Sequence, residues 1–159
     1  MDLMRAAFSN HILNLCLIAS VSAQLCKFLL TLAFSHKVSF ERFYGSGGMP
    51  SAHTATVCAL MMGTVRKCGF ASAEFAIAAV FAYVVIYDAL GVRRAAGQHA
   101  GIINRILLQD VYMAEPYDGE DKHKGTKQLN EHLGHTPIEV IGGALLGMFL
   151  SLIYHYFAY

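Results

Sequence analysis

Four apolar stretches, each approaching the roughly 20 residues a helix needs to cross hydrocarbon, constrain this chain more than anything else in it. The first runs from His11 to Phe34 and is interrupted by Gln24 and Lys27; the second runs from Ser51 to Val65. The third, Phe70 to Leu90, is the cleanest, and the fourth, Pro137 to Phe157, opens with a proline in a first-turn position. Together they predict an all-α protein, a small polytopic membrane helical bundle of about four membrane helices plus an amphipathic helix. A chain of 159 residues has room for a single membrane domain over its whole length, 1–159.

The second stretch is the weakest. The roughly 17 residues from Ser51 to Lys67 rise only about 25 Å, and they include Thr54, Thr56 and Thr64, so shielding by other helices is expected. Arg66 to Gly69 then forms a short turn, which makes the second and third segments an antiparallel hairpin. A hairpin returns to the face it left, so Pro50-Ser51-Ala52-His53 is brought to the side where Asp88 to Arg94 ends. Beyond it, Ile102, Ile103, Ile106 and Leu107 fall at helical spacing and predict an amphipathic helix over Arg94 to Gln109. A polar, charge-rich flexible loop is expected at about 110–134. Gly143-x-x-x-Gly147 in the fourth segment allows close approach of another helix, including one from a second copy in a homo-oligomer. Lys and Arg concentrate around residues 35–50 and 91–136, which puts that face, and the motifs on it, in the cytoplasm.

Charge narrows the function. The formal net charge is +1, with the charges gathered between apolar stretches, which argues against nucleic-acid binding. Cys16, Cys26, Cys58 and Cys68 lie in or beside apolar stretches without zinc-type spacing and read as small buried apolar residues. The N-terminal apolar run outlasts a signal peptide's core and predicts a retained helix.

Two clusters carry chemistry. In the first, Tyr44-Gly45-Ser46-Gly47-Gly48-Met49-Pro50-Ser51 opens onto a helix, where glycines permit close backbone approach and exposed N–H groups suit an anion. His53 sits in that first turn, placed to give or take a proton; a plain capping loop is the competing reading. The second cluster holds Asp88, Arg93, Arg94 and His99. Paired arginines bind phosphate oxygens or anchor to headgroups, and Asp88 at the end of an apolar helix calls for pairing with one of them. Lys27, and less so Gln24, are ionisable or polar inside an apolar stretch, either functional or snorkelling to the interface. His135 and Glu139 are four apart, which a continuing helix places on one face; they either orient an imidazole or lie beside a Thr136-Pro137 cap.

These blocks resemble the small divergent membrane branch of the type 2 phosphatidic acid phosphatase superfamily, related to acid phosphatases and vanadium-dependent haloperoxidases. The matching text is Ala23-Gln24-x-x-Lys27, GGMPSAHTA, YDALGVRRAAGQHA with Ile103-Asn104, and LGHTPIEVIGGALLG. The wider superfamily reads K-x6-R-P, P-S-G-H and S-R-x5-H-x3-D: Lys and Arg hold phosphate, the last His attacks phosphorus, the middle His protonates the leaving oxygen and the Asp orients the nucleophile. By that resemblance Pro50-Ser51-Ala52-His53 is the second motif with Ala52 for Gly, and Arg93 and His99 keep the x5 spacing of the third. Val92 replaces its Ser and Ile103 its Asp, the first motif is absent except for Lys27 or, more distantly, Arg42, and the divergent branch usually carries Gln where His99 stands. Ile103 cannot hold a histidine tautomer, so Asp88 or Glu139 is expected to do so.

The resemblance implies a phosphatase-like membrane protein acting on a lipid-linked phosphate or pyrophosphate. Lys27, Gly47, Gly48, Ser51, Arg93 and Arg94 would bind phosphate, His53 would be the general acid and His99 the nucleophile, with Gln24, His135 and Glu139 in support. The scheme requires no metal and no cofactor. The alternative is a non-catalytic membrane protein that binds or moves an anionic, phosphorylated lipid.

Overall fold

A computed structural model describes residues 8–35, 48–113, 128–131 and 133–158. Its helices are α1 (His11–Ser35), α2 (Ala52–Cys68), α3 (Ala73–Leu90), α4 (Val92–Met113) and α5 (Pro137–Ala158), with no strand among the described residues. Each boundary has a local cause. Asn10 accepts the Ile12 and Leu13 N–H groups at 3.1 and 3.2 Å and starts α1. Ser51 caps α2, and Gly69, at φ 85°, ends it by returning its N–H to the Val65 carbonyl at 2.8 Å. Ser72 caps α3 through the Phe75 N–H, 3.2 Å away. The third segment therefore begins at Ala73 rather than Phe70. The amphipathic helix is also longer than expected, because α4 runs from Val92 to Met113 and includes the first residues assigned by composition to the polar loop.

Three helical stretches, His11–Ala33, Ala73–Leu107 and Pro137–Phe157, are long and apolar enough to cross a membrane. The fourth expected span, α2, has 17 residues and lies at the centre of the bundle, touching α1, α3 and α5. Its position answers its shortness: a helix of about 25 Å with buried Thr54 and Thr64 is covered by protein on several sides. Thr56 and Thr64 turn their hydroxyls back to the Ala52 and Leu60 carbonyls, both at 2.8 Å, which removes their polarity from the packing surface.

Small side chains line the interior and large ones face outward. Ala19, Ala23, Ala55 and Ala59 are fully enclosed where α1 crosses α2, whereas Val21, Leu25, Ile77, Phe81, Leu145 and Phe149 are exposed. This is how a bundle packs in lipid, where burying apolar groups against protein gains little over burying them in acyl chains, and backbone proximity decides the contact. On α5, a Cβ at Gly143 would run into the Ser51 carbonyl and one at Gly147 into the Ala55 carbonyl. The glycine pair is thus occupied by α2 of the same chain, so it does not offer a face to a second copy.

Candidate functional site

The turn at 69–72 folds α3 back along α2, and the segment before α5 ties their far ends together. Ser51 donates its N–H to the Glu139 carbonyl at 3.0 Å, and His135 donates its N–H to the Ala89 carbonyl at 3.1 Å. The opening of α2 and the close of α3, expected to meet, are joined through residues 135–139. Gly134 makes the join possible: at φ +81° it lies on the Arg94 backbone, where a side chain would leave only 2.5 Å to the Arg94 Cα.

His53 is exposed in the first turn of α2, and its ring lies nearly perpendicular to the His135 ring, with centroids 6.2 Å apart at 78°. His135 itself is buried, and its Nδ1 has no hydrogen-bond partner among the described residues. Burial holds its pKa below the ordinary value; Glu139 opposes this, while His53, Lys27 and Arg93 add to it. Those four neighbours show which charges the fold gathers here. Lys27 is buried with its stem against Gly48, and Glu139 is an acid whose charge reaches it. It is therefore packed into the bundle, not snorkelling along a lipid-facing surface. Gln24, almost one turn earlier, has a buried Oε1 without a partner among the described residues.

Several expected roles change. The Ser51 side chain is completely enclosed and accepts from the Thr54 N–H at 3.3 Å and the Thr54 hydroxyl at 3.0 Å, so it builds the helix tip instead of facing a phosphate. Glu139 and His135 do not share a helix face, because α5 starts at Pro137; the Glu139 carboxylate instead accepts the Thr136 N–H at 2.8 Å, closing the first turn. Asp88 does pair with an arginine, accepting from Arg93 Nε at 2.7 Å with both side chains about half exposed. Neither acid expected to orient His99 bonds to it: Asp88 pairs with Arg93 and Glu139 closes the first turn of α5. His99 is exposed, about 200° around α4 from the packed Gly97, and makes no hydrogen bond or ion pair among the described residues. Arg94 diverges from Arg93 and lines a cavity of about 400 Å³ with Gln98, Arg105 and Glu131. Gly47 lies outside the described residues. Of the cysteines, Cys16 and Cys58 are buried as expected, whereas Cys68 is exposed at the end of α2.

Asn104 is the structural residue that spacing alone does not single out. Its amide donates to the Leu129 carbonyl and to Glu131 Oε1, both at 2.8 Å, and accepts the Leu129 N–H at 2.9 Å. It straps residues 129–131, within the stretch read as a flexible loop, to α4. The available signal was its register with Gly97, Ala100 and Gly101, a face of small residues ending in one amide.

Helices that expose large apolar side chains and enclose a Lys, a His and a glycine-opened helix tip at one end define an integral membrane protein with a polar site at its boundary. Residues 8–150 match the family described as the Divergent PAP2 family. The chain is also 38% identical over 144 residues to the uncharacterized membrane protein YuiD of Bacillus subtilis (strain 168), covering 89% of this chain and 91% of that one. The chain belongs to the Divergent PAP2 family. No solved structure matches it.

Proposed function

We propose that this end of the bundle hydrolyses a lipid-linked phosphate or pyrophosphate presented at the cytoplasmic face of the membrane. The observation that carries the reading is the meeting of His53 with the buried His135 at the tip of α2, with Lys27 and Arg93 contributing charge to the same place. Lys27, Arg93 and the backbone from Gly48 onward attract the phosphate; the first N–H groups of α2 add donors aimed at it. Water attacks phosphorus and loses a proton to a phosphate oxygen as the bond to the lipid oxygen breaks, and His53 gives that leaving oxygen a proton that it takes back from solvent. His135, neutral and nearly perpendicular to His53, fixes the ring that moves the proton. Attack is given to water rather than to His99 because the exposed His99 ring has no hydrogen bond or ion pair among the described residues to orient it.

The same observation favours a second reading, a non-catalytic protein that binds or moves a phosphorylated lipid, since a site without an oriented nucleophile still attracts phosphate. Phosphate release by the purified protein from phosphatidic acid and from a polyprenyl diphosphate, in the presence of chelator, separates the two. Hydrolysis is expected in the wild type, a loss of about 100-fold or more in His53→Ala, and retention in His99→Ala. Release no greater than a detergent blank, with lipid binding intact, establishes the binder; loss in His99→Ala restores the histidine nucleophile.

A further inference from the structure

We propose that the opposite end of the bundle carries a second anion site, which takes the phosphate of an anionic lipid headgroup from the other leaflet. It lies between the start of α1 and the ends of α2 and α5, about 20 Å along α2 from His53. There Arg66, His11, His155, Tyr154 and Ser151 surround a small cavity, with no Asp or Glu among the described residues that line it.

Ser151 is the observation that points to a ligand. Its side chain is 1% exposed, lines the cavity, and its hydroxyl oxygen has no hydrogen-bond partner among the described residues. A buried hydroxyl left unmatched costs free energy, and the groups around this one are suited to an acidic oxygen. Arg66 supplies a forked cation and makes no ion pair among the described residues. Tyr154 adds a second hydroxyl, held 3.4 Å from His11 Nδ1.

Size decides what enters. The space open to atom centres is about 20 Å³, room for one oxygen and not for a whole headgroup. One phosphate oxygen reaches the Ser151 hydroxyl, while the rest of the group remains at the mouth beside Arg66. Ile12 and Leu15 form apolar wall beside it, and Leu13 and Leu17 on α1 are exposed for the acyl chains. A lipid meets the charged and the apolar parts at once; a free anion meets only the first.

The site stands apart from the proposed phosphatase chemistry and is tested on the full chain in neutral detergent. Native mass spectrometry measures binding of short-chain phosphatidylglycerol, short-chain phosphatidylcholine and inorganic phosphate, each in an Arg93→Gln background that weakens the motif end. Phosphatidylglycerol is expected to bind, with Arg66→Gln weakening it about tenfold or more, Ser151→Ala weakening it by a smaller factor, and Arg66→Lys restoring part of it. Unchanged binding in both Arg66→Gln and Ser151→Ala overturns the site. Equal binding of phosphatidylcholine overturns its anion preference and leaves a water on Ser151. Inorganic phosphate binding as tightly as the lipid overturns the headgroup assignment. Failure of the His53→Ala hydrolysis test leaves these outcomes untouched, because it reads the other end of the bundle.

Discussion

Ser51 shows how one hydroxyl holds the helix tip on which the candidate chemistry rests. It accepts two donors from Thr54 while fully buried, so Ser51→Ala leaves the Thr54 hydroxyl without its acceptor as well as removing the cap. A loss of about 1–2 kcal/mol is expected, measured by thermal unfolding in detergent. His135 governs a different variable. Its pKa is lowered in the folded chain, so near neutral pH both folded and unfolded forms are uncharged and its full contribution is present. Below about pH 6.5 the unfolded chain takes up a proton that the buried ring resists, and stability falls with pH at no more than about 1.4 kcal/mol per unit from this group. Titrating the unfolding midpoint from pH 7.5 to pH 5 is expected to show this decline, and His135→Phe is expected to flatten it.

At the level of elements, α2 is held by close backbone approach on both sides. The Gly143 and Gly147 face leaves no room for a β-carbon against the Ser51 and Ala55 carbonyls, so Gly147→Leu is expected to cost more than about 2 kcal/mol and to separate α5 from α2. Because Ser51 also donates to Glu139 across that contact, the separation disrupts the polar end and lowers phosphate-lipid binding too. The link between α4 and α5 depends on Asn104 instead. Asn104→Ala removes three hydrogen bonds to residues 129–131, and faster amide exchange at Leu129 is the expected readout, with the α1–α2 crossing unaffected.

For the whole molecule, the three long apolar stretches and the enclosed short helix imply two polar ends separated by a bilayer. Cysteine introduced at His53 or at Arg93 is expected to react with an impermeant thiol reagent from the cytoplasmic side, and cysteine at Lys67 from the other, in a background with Cys68→Ser. Labelling of positions 53 and 93 from opposite sides would remove the single-site arrangement. The expectation of a cytoplasmic motif face comes from the Lys and Arg in the loops around residues 35–50 and 91–136, and this labelling tests it.

Much of this was readable in one dimension because membrane helices are specified locally. Apolar length identifies His11–Ala33 and Pro137–Phe157, a short turn after Lys67 forces the return of α3, and that return brings His53 toward Arg93. The roles within the site depended on longer-range contacts. Whether Ser51 faces a ligand or Thr54, whether Asp88 serves His99 or Arg93, and whether Gly143 meets another copy or its own α2 are choices between partners far apart in the chain. Spacing says which side chains share a helix face; only packing decides what stands opposite it, because partner choice is set by the distances and burial that the assembled helices impose.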